Sequence, residues 1–397
     1  MKNFASILNQ LLSHVPRAVF KNCVDRYKGD YRARKFRCWS QFAVMVYAQV
    51  TSKVSLRDTV FGFSNRENYF YHLGVENVAR STLADANQKR DWHIYEDLFK
   101  QVLLRCHDVT PKHKFRFKNK LESLDATTID LCLEAFPWAQ FRQTKGAIKL
   151  HTKLDHSGHI PSFVNITDGK THEIRAAHAL QLEPGSILAV DRAYVKFKWF
   201  YQVHQSGGFW VSRLKKNIEF SILRNPEHQL PKLSKRARKK GVLKDRVIRL
   251  TGSKAGELPI ELRLVVYKDP ETGKVYEFIT NIFHLSALTI AQIYKARWEI
   301  EVFFKWIKQH LKVKTFFGTS ENAVKSQIWI AMITYLLLSY IKYKTKCSYT
   351  LLEIQRLIRE NIFARISLNT LLLPHLGPRT KNQTGRPLNT RQLCLQL

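Results

Sequence analysis

Ser186-Ile187-Leu188-Ala189-Val190-Asp191 is a short apolar run that ends in an acid, and it reads as a buried strand. Well before it, Leu121-Glu122-Ser123-Leu124-Asp125-Ala126-Thr127-Thr128-Ile129 reads as a second strand that ends in polar residues. Ala147 to Leu154 alternates apolar with polar side chains, and Ile160 to Ile166 reads as another strand. Asp155-His156-Ser157-Gly158-His159 supplies the turn between those two. Glu173 to Leu182 reads as a helix leading into the quoted run. After it comes a helix through Phe197, Phe200 and Val203, then a strand at Phe209-Trp210-Val211-Ser212. Strands that give way to alternating helices and strands predict an α/β core with a mixed sheet.

Residues 215 to 283 break that rhythm. Lys235-Arg236-Ala237-Arg238-Lys239-Lys240 is a dense basic cluster, with strand-like runs at Val247 to Leu250, Leu262 to Tyr267 and Tyr276 to Ile282. Asp269-Pro270-Glu271-Thr272-Gly273-Lys274 joins the last two as a hairpin. This segment reads as a β-rich insertion in the core. Helices resume at Ser286, a good N-cap, and continue to about 365.

The first 110 or so residues carry helical patterns. Phe4, Ile7, Leu8, Leu11 and Leu12 recur at helical spacing. Ser40 is placed to cap a helix through Phe42, Val46 and Val50. A further helix begins near Ser81, with Thr82, Leu83, Asp85, Asn87, Gln88, Lys89 and Arg90 forming a polar, basic surface. That surface fits a DNA-reading module and a plain helical bundle equally well. The expected organisation is a helical N-terminal DNA-binding region over 1–115 and the first part of the core over 116–214. The insertion over 215–283, the second part of the core over 284–345 and a helical C-terminal region and tail over 346–397 complete it.

Charge narrows the partners. The 397 residues carry 65 Lys plus Arg against 32 Asp plus Glu, a net charge of +33, which points to a polyanion and first to nucleic acid. A membrane span needs roughly 18 or more apolar residues. The best run, Ile328 to Ile341, is shorter and contains Thr334 and Ser339, so it reads as a buried helix. Met1-Lys2-Asn3-Phe4 does not lead into a signal core. Cys23, Cys38, Cys106, Cys132, Cys347 and Cys394 are scattered without zinc-finger or redox spacing and read as reduced thiols of a cytosolic protein. His151, His156, His159, His172 and His178 lie near one another in sequence without a metal-binding pattern and read as ordinary polar residues.

The segment from about 287 to 312 reads as one helix. With Tyr294 at zero and about 100° per residue, Arg297 falls near 300°, Glu301 near 340°, Lys305 near 20° and Lys308 near 320°. The rest is mostly apolar: Trp298, Ile300, Val302, Phe303, Trp306 and Ile307. A largely packed helix therefore holds an acid between cations, which is costly unless the groups pair or serve a ligand. Geometry alone leaves an ion-pair ladder and a ligand site open. Asp125 and Asp191, each after a strand, favour the site, because ligands of α/β sheets gather at the carboxyl ends of strands. Three carboxylates suit Mg2+, with Mn2+ as a substitute. Two such ions roughly 3.5–4 Å apart activate a nucleophile and stabilise a leaving oxygen in phosphoryl transfer.

Tyr294-x2-Arg297-x3-Glu301-x6-Lys308 resembles the Y-R-E-K signature of DDE transposases from bacterial insertion sequences, in the branch called insertion sequence four. Leu124-Asp125-Ala126-Thr127-Thr128-Ile129 resembles the family's first-aspartate strand. Val190-Asp191-Arg192-Ala193-Tyr194 resembles its second-aspartate block, with Ala193 where Gly is usual. The β-rich insertion between the second Asp and the Glu also belongs to this branch.

The resemblance implies a ribonuclease-H-like catalytic core with Asp125, Asp191 and Glu301 as catalytic, Mg2+-binding triad, and Tyr294, Arg297 and Lys308 as DNA-binding residues at the transposon end. It implies a homodimer in a synaptic complex on double-stranded DNA, acting in the bacterial cytoplasm at the nucleoid. Some family members pass through a hairpin with a base flipped onto an aromatic, for which Trp210, Tyr276 and Phe278 are candidates, though core packing suits each of them better. Two other functions stay open: a transposase-derived DNA-binding protein without catalysis, and a related metal-dependent nuclease.

Overall fold

The computed structural model describes residues 5–170, 180 and 182–373. The expected helix at Glu173 to Leu182 falls almost wholly outside them, as do Phe4, His172, His178, Cys394 and the tail beyond 373.

One sheet organises the chain. Its strands are β1 (Leu121–Leu131), β2 (Gln140–Arg142), β3 (Lys145–Asp155), β4 (Ile160–Asp168), β5 (Ile187–Val190), β6 (Phe209–Arg213), β7 (Phe220–Ile222), β8 (Val242–Leu250), β9 (Leu262–Lys268) and β10 (Val275–Thr280). They lie in the order β2-β3-β1-β5-β6-β10-β9-β8-β7, with β4 also paired to β3. β1, β3 and β4 are antiparallel neighbours, whereas β1, β5 and β6 run parallel. All four residues of β5 are buried, as expected of a parallel strand covered on both faces.

The helices of the first part are α1 (Ile7–Leu12), α2 (Arg17–Arg26), α3 (Cys38–Val50), α4 (Leu56–Ser64), α5 (Phe70–Leu73), α6 (Arg80–Lys89) and α7 (His93–His107). After the first strands come α8 (Phe197–Gln205), α9 (Lys235–Lys239), α10 (Ala287–Ala296), α11 (Glu299–His310), α12 (Glu321–Thr345), α13 (Leu351–Glu360) and α14 (Leu368–Leu372). Side-chain alternation on β5 and β6 decides which helix each face receives. Leu188, Val190 and Trp210 pack with Phe197 and Phe200 of α8, the Trp210 ring stacking on Phe200 at 4.0 Å. Ile187, Ala189 and Val211 pack with Ile290, Ile293 and Tyr294 of α10.

The insertion builds onto the core: β10 pairs with β6, so its strands widen the same sheet. One expectation changes. Ser40 does not cap α3, which starts two residues earlier at Cys38 after Arg37; Ser40 instead accepts a bond from the Glu76 amide. The N-terminal helices are not set apart from the C-terminal ones. Both share one apolar core with β3, β4 and α11, wrapped around α12. The amides of Ile7 and Leu8 donate to the carbonyls of Ala364 and Ile362 at 3.1 and 2.9 Å. α12 is long and apolar enough to cross a membrane, yet it is almost wholly buried inside this fold. Cys23, Cys38 and Cys106 are buried thiols, and none of the described cysteines is in a disulfide.

Candidate active site

The pairing of β1 with β5 brings two acids together. Leu124 lies opposite Val190 in parallel register, so Asp125 and Asp191 follow side by side where β5 ends. Asp191 stands at its strand end as expected, and its Oδ1 accepts from the Ala193 amide at 3.1 Å. Asp125 does not: β1 continues to Leu131 along β3, and only its pairing with β5 stops at Leu124. Asp125 Oδ1 accepts from the Ala126 amide at 2.8 Å.

The third acid arrives on α11, but not on one continuous helix. The i→i−4 ladder gives way at Arg297 and Trp298, where Arg297, Trp298 and Glu301 donate three residues back instead. Such tightening breaks a helix while Arg297 and Trp298 themselves keep helical φ and ψ. The break carries Arg297 inward and Trp298 outward. Trp298 is 63% exposed and Val302 55%, against the expectation of a packed apolar face.

Arg297 then bridges two of the acids. Its Nη1 lies 3.0 Å from Asp125 Oδ2 and its Nη2 2.8 Å from Glu301 Oε1. Burial is the largest influence on Asp125, and the charges of Glu301 and Asp191 add to it. The Ala126 amide and Arg297 oppose them, leaving the carboxyl raised to about 6. Arg297 itself would be lowered by burial, but its bond to Glu301 and the surrounding acids hold it above its ordinary value. Asp125, Asp191 and Glu301 therefore share one electrostatic neighbourhood. They are not drawn to ligand spacing: among the described residues the His/Cys/Asp/Glu trio with ligand atoms within 4.8 Å of one another is His156, His159 and Glu299.

Tyr294 is buried beside this cluster, its ring 4.7 Å from Phe278, and burial pushes its hydroxyl up to about 12. The Tyr294 hydroxyl and Arg297 Nε are both buried, and a hydrogen bond with Arg297 opposes the rise of the Tyr294 hydroxyl. Lys308 does not point freely outward; its Nζ donates to the Thr128 carbonyl at 2.8 Å, and burial lowers its pKa. Lys305 is exposed. Of the aromatics considered for stacking, Trp210 and Phe278 are buried and Tyr276 is partly exposed under Arg213.

Sequence reasoning missed three features. Lys215 donates to the Val195 carbonyl at 3.2 Å and is lowered by burial and by the nearby charges of Lys196 and Arg192, so cations crowd the approach to Asp191. The exposed Trp298 was hidden by its apolar neighbours. His156 and His159, read as unrelated polar residues, meet on Glu299. Burial would raise Glu299, but hydrogen bonds from the two imidazoles bring it down to about 2.

Residues 120–337 match the family described as a transposase DDE domain, and residues 4–76 match one described as a domain of unknown function. The protein named as a probable transposase for insertion sequence element IS5377 of Geobacillus stearothermophilus is 30% identical over 273 residues, 69% of this chain and 70% of its own length. The y4zB protein of Sinorhizobium fredii, also named as a transposase, is 28% identical over 294 residues, 74% of this chain and 80% of its own. A solved piggyBac transposase in a synaptic complex with hairpin DNA covers 96% of this chain, and 84% of its own, at a TM-score of 0.46 and 13% identity. The DDE match begins just before β1, ends within α12 and takes in Asp125, Asp191, Arg297 and Glu301, and with the Geobacillus relative it makes this chain a member of the DDE transposase family.

Proposed function

We propose that this chain is the transposase of a bacterial insertion sequence of the Y-R-E-K branch. It binds the terminal inverted repeats as a homodimer in a synaptic complex, cleaves the element ends and joins them to target DNA in the bacterial cytoplasm. Asp125, Asp191 and Glu301 are the catalytic residues. The observation that carries this reading is the parallel register of β1 and β5, which sets Asp125 beside Asp191 under a helix whose Glu301 shares Arg297 with Asp125. The order β4-β3-β1-β5-β6, antiparallel and then parallel, supports a ribonuclease-H-like core.

The donor set fits a hard divalent cation. It offers carboxylate oxygens only, and the Asp125 carboxyl is raised by burial first and by the charges of Glu301 and Asp191 after it. Mg2+, or Mn2+ in its place, would be held by the three acids and would supply charge for activating the nucleophile and stabilising the leaving oxygen. The protein's own groups do the rest. Arg297 offers a rigid fork, and its buried Nε beside the Tyr294 hydroxyl suits a phosphate of the transposon end. Lys308 braces α11 against β1 and supplies positive charge near the same strand. Lys215, Lys196 and Arg192 raise the local potential for a polyanion.

The test is a duplex carrying the inverted repeats that flank the gene, incubated with full-length protein. Divalent-dependent nicking followed by joined products supports the reading. Binding without cleavage supports the DNA-binding alternative, and cleavage without joining supports the nuclease.

A further inference from the structure

The turn between β3 and β4 is built with more constraint than a hairpin connection requires. Gly158 and His159 both adopt left-handed backbone, with φ of +74° and +54°. His is among the few side chains that tolerate this region. Two tyrosines of α12 hold the turn: the Tyr343 hydroxyl donates to the Gly158 carbonyl at 2.8 Å, and the Tyr335 hydroxyl to that of His159 at 2.9 Å. The Ser157 amide donates to Asp155 Oδ1 at 2.7 Å. Both imidazoles then face Glu299 in the first turn of α11. His156 Nδ1 is 3.0 Å and His159 Nδ1 2.9 Å from the same Glu299 Oε2.

We propose that His156, His159 and Glu299 form a second metal site, separate from the catalytic carboxylates, for a transition-metal dication of the zinc class. Two imidazoles and a carboxylate are the ligand set such ions take, whereas Mg2+ prefers oxygen alone. The spacing suits it: bonds of about 2.0–2.2 Å in a tetrahedron put ligand atoms about 3.3–3.5 Å apart, and these ligand atoms already lie within 4.8 Å of one another. The back of the site is in place as well. His156 is buried, and its other nitrogen, Nε2, lies 2.7 Å from Ser123 Oγ on β1. Metal-binding imidazoles generally use their second nitrogen in this way, which fixes tautomer and ring. His159 and Glu299 are partly open, with side-chain exposures of 45% and 44%, which leaves room for water as a fourth ligand. An ion here pins the hairpin turn and β1 to the helix that carries Glu301, so it positions that helix and takes no part in bond breaking.

Co2+ is the probe, because a tetrahedral site gives it visible absorption. Full-length protein stripped of metal is titrated with Co2+ against a background of Mg2+. The expected result is one Co2+ per chain with tetrahedral bands, unchanged in the Asp125→Asn/Glu301→Gln double variant. His159→Asn, which keeps the left-handed backbone accessible, should weaken uptake by about 100-fold or more, beyond the 10–100-fold typical of an outer partner. Ser123→Ala should weaken it by about 10-fold. If the wild type takes up no Co2+, or His159→Asn binds it as tightly, the imidazoles are ion-pair partners of Glu299 only and the site does not exist. Loss of uptake in the double variant instead would assign the ion to the catalytic acids. None of these outcomes depends on whether the chain cleaves DNA.

Discussion

Arg297 reaches Asp125 across 172 residues of sequence, Nη1 to Oδ2 at 3.0 Å. The same guanidinium grips Glu301, four residues on in the first turn of α11. This fork keeps two like charges apart while holding them within one site, and it sets how each acid responds to substitution.

Glu301→Gln removes a charge at nearly constant volume. Cleavage of an end-repeat duplex in Mg2+ is expected to fall on the order of 100-fold or more, since a ligand for the ion is lost. Gel-shift affinity should hold or rise, because the stripe becomes more positive. Normal cleavage by this variant would remove Glu301 from the metal set.

Asp125 keeps its proton to about pH 6 in the folded chain, against an ordinary value of 3.8. Folding therefore takes up a proton between those values. The stability this brings is complete below about pH 4 and is lost as pH rises through about 6. A shift of about 2 units corresponds to about 3 kcal/mol. Asp125→Asn avoids that penalty but forfeits a charge-assisted bond, so a net gain of about 1–2 kcal/mol is expected near pH 8 and none near pH 4. Thermal unfolding across that range measures it; a variant less stable than wild type at pH 8 would contradict the account.

Arg297→Met leaves Asp125 and Glu301 without their shared cation. Because both carboxylates keep some contact with water, the expected loss is about 2 kcal/mol, below that of a fully buried pair. Adding Asp125→Asn should recover part of it, a coupling that urea titrations of the double-mutant cycle resolve.

DNA affinity should fall steeply with salt, with log K losing about 0.9 per phosphate contact for each unit of log salt. Replacing Lys235, Arg236, Arg238, Lys239 and Lys240 with Gln should flatten that slope by about 0.9 for each side chain that touches a phosphate. An unchanged slope in fluorescence-anisotropy titrations would place the DNA elsewhere on the surface.

Gly158→Ala should destabilise by about 1–2 kcal/mol. Its φ is +74°, and an added Cβ would come within 2.9 Å of Thr110 Cγ2 and 3.0 Å of Tyr343 Cε2. Unfolding of Gly158→Ala at the wild-type midpoint would contradict the steric constraint on this turn.

Local pattern made most of the fold legible. Alternation marked β3, a four-residue apolar run marked β5, and a Pro-Glu-Thr-Gly turn marked the β9–β10 hairpin. Glu301 could be singled out because a charge on an otherwise apolar helix is costly, and the two aspartates because each follows an apolar run. What stayed hidden was non-local or too subtle for periodicity. The break at Arg297 and Trp298 changes hydrogen-bond spacing without changing residue type, so a helical wheel passes over it. The meeting of His156 with Glu299 joins positions 143 apart, and the β6–β10 pairing that merges the insertion with the core is non-local as well.

The pairing of Ile7 and Leu8 with Ala364 and Ile362 has a bearing on synthesis. A ribosome releases the first helix long before its backbone partners exist. Until some 350 further residues have emerged, the amides at one end of the helical body and much of the surface destined for α12 stay open to solvent. A chain terminated early would expose that apolar surface and be open to proteolysis. Only completed polypeptides would then close around α12, so abortive products would be filtered out by their own failure to fold.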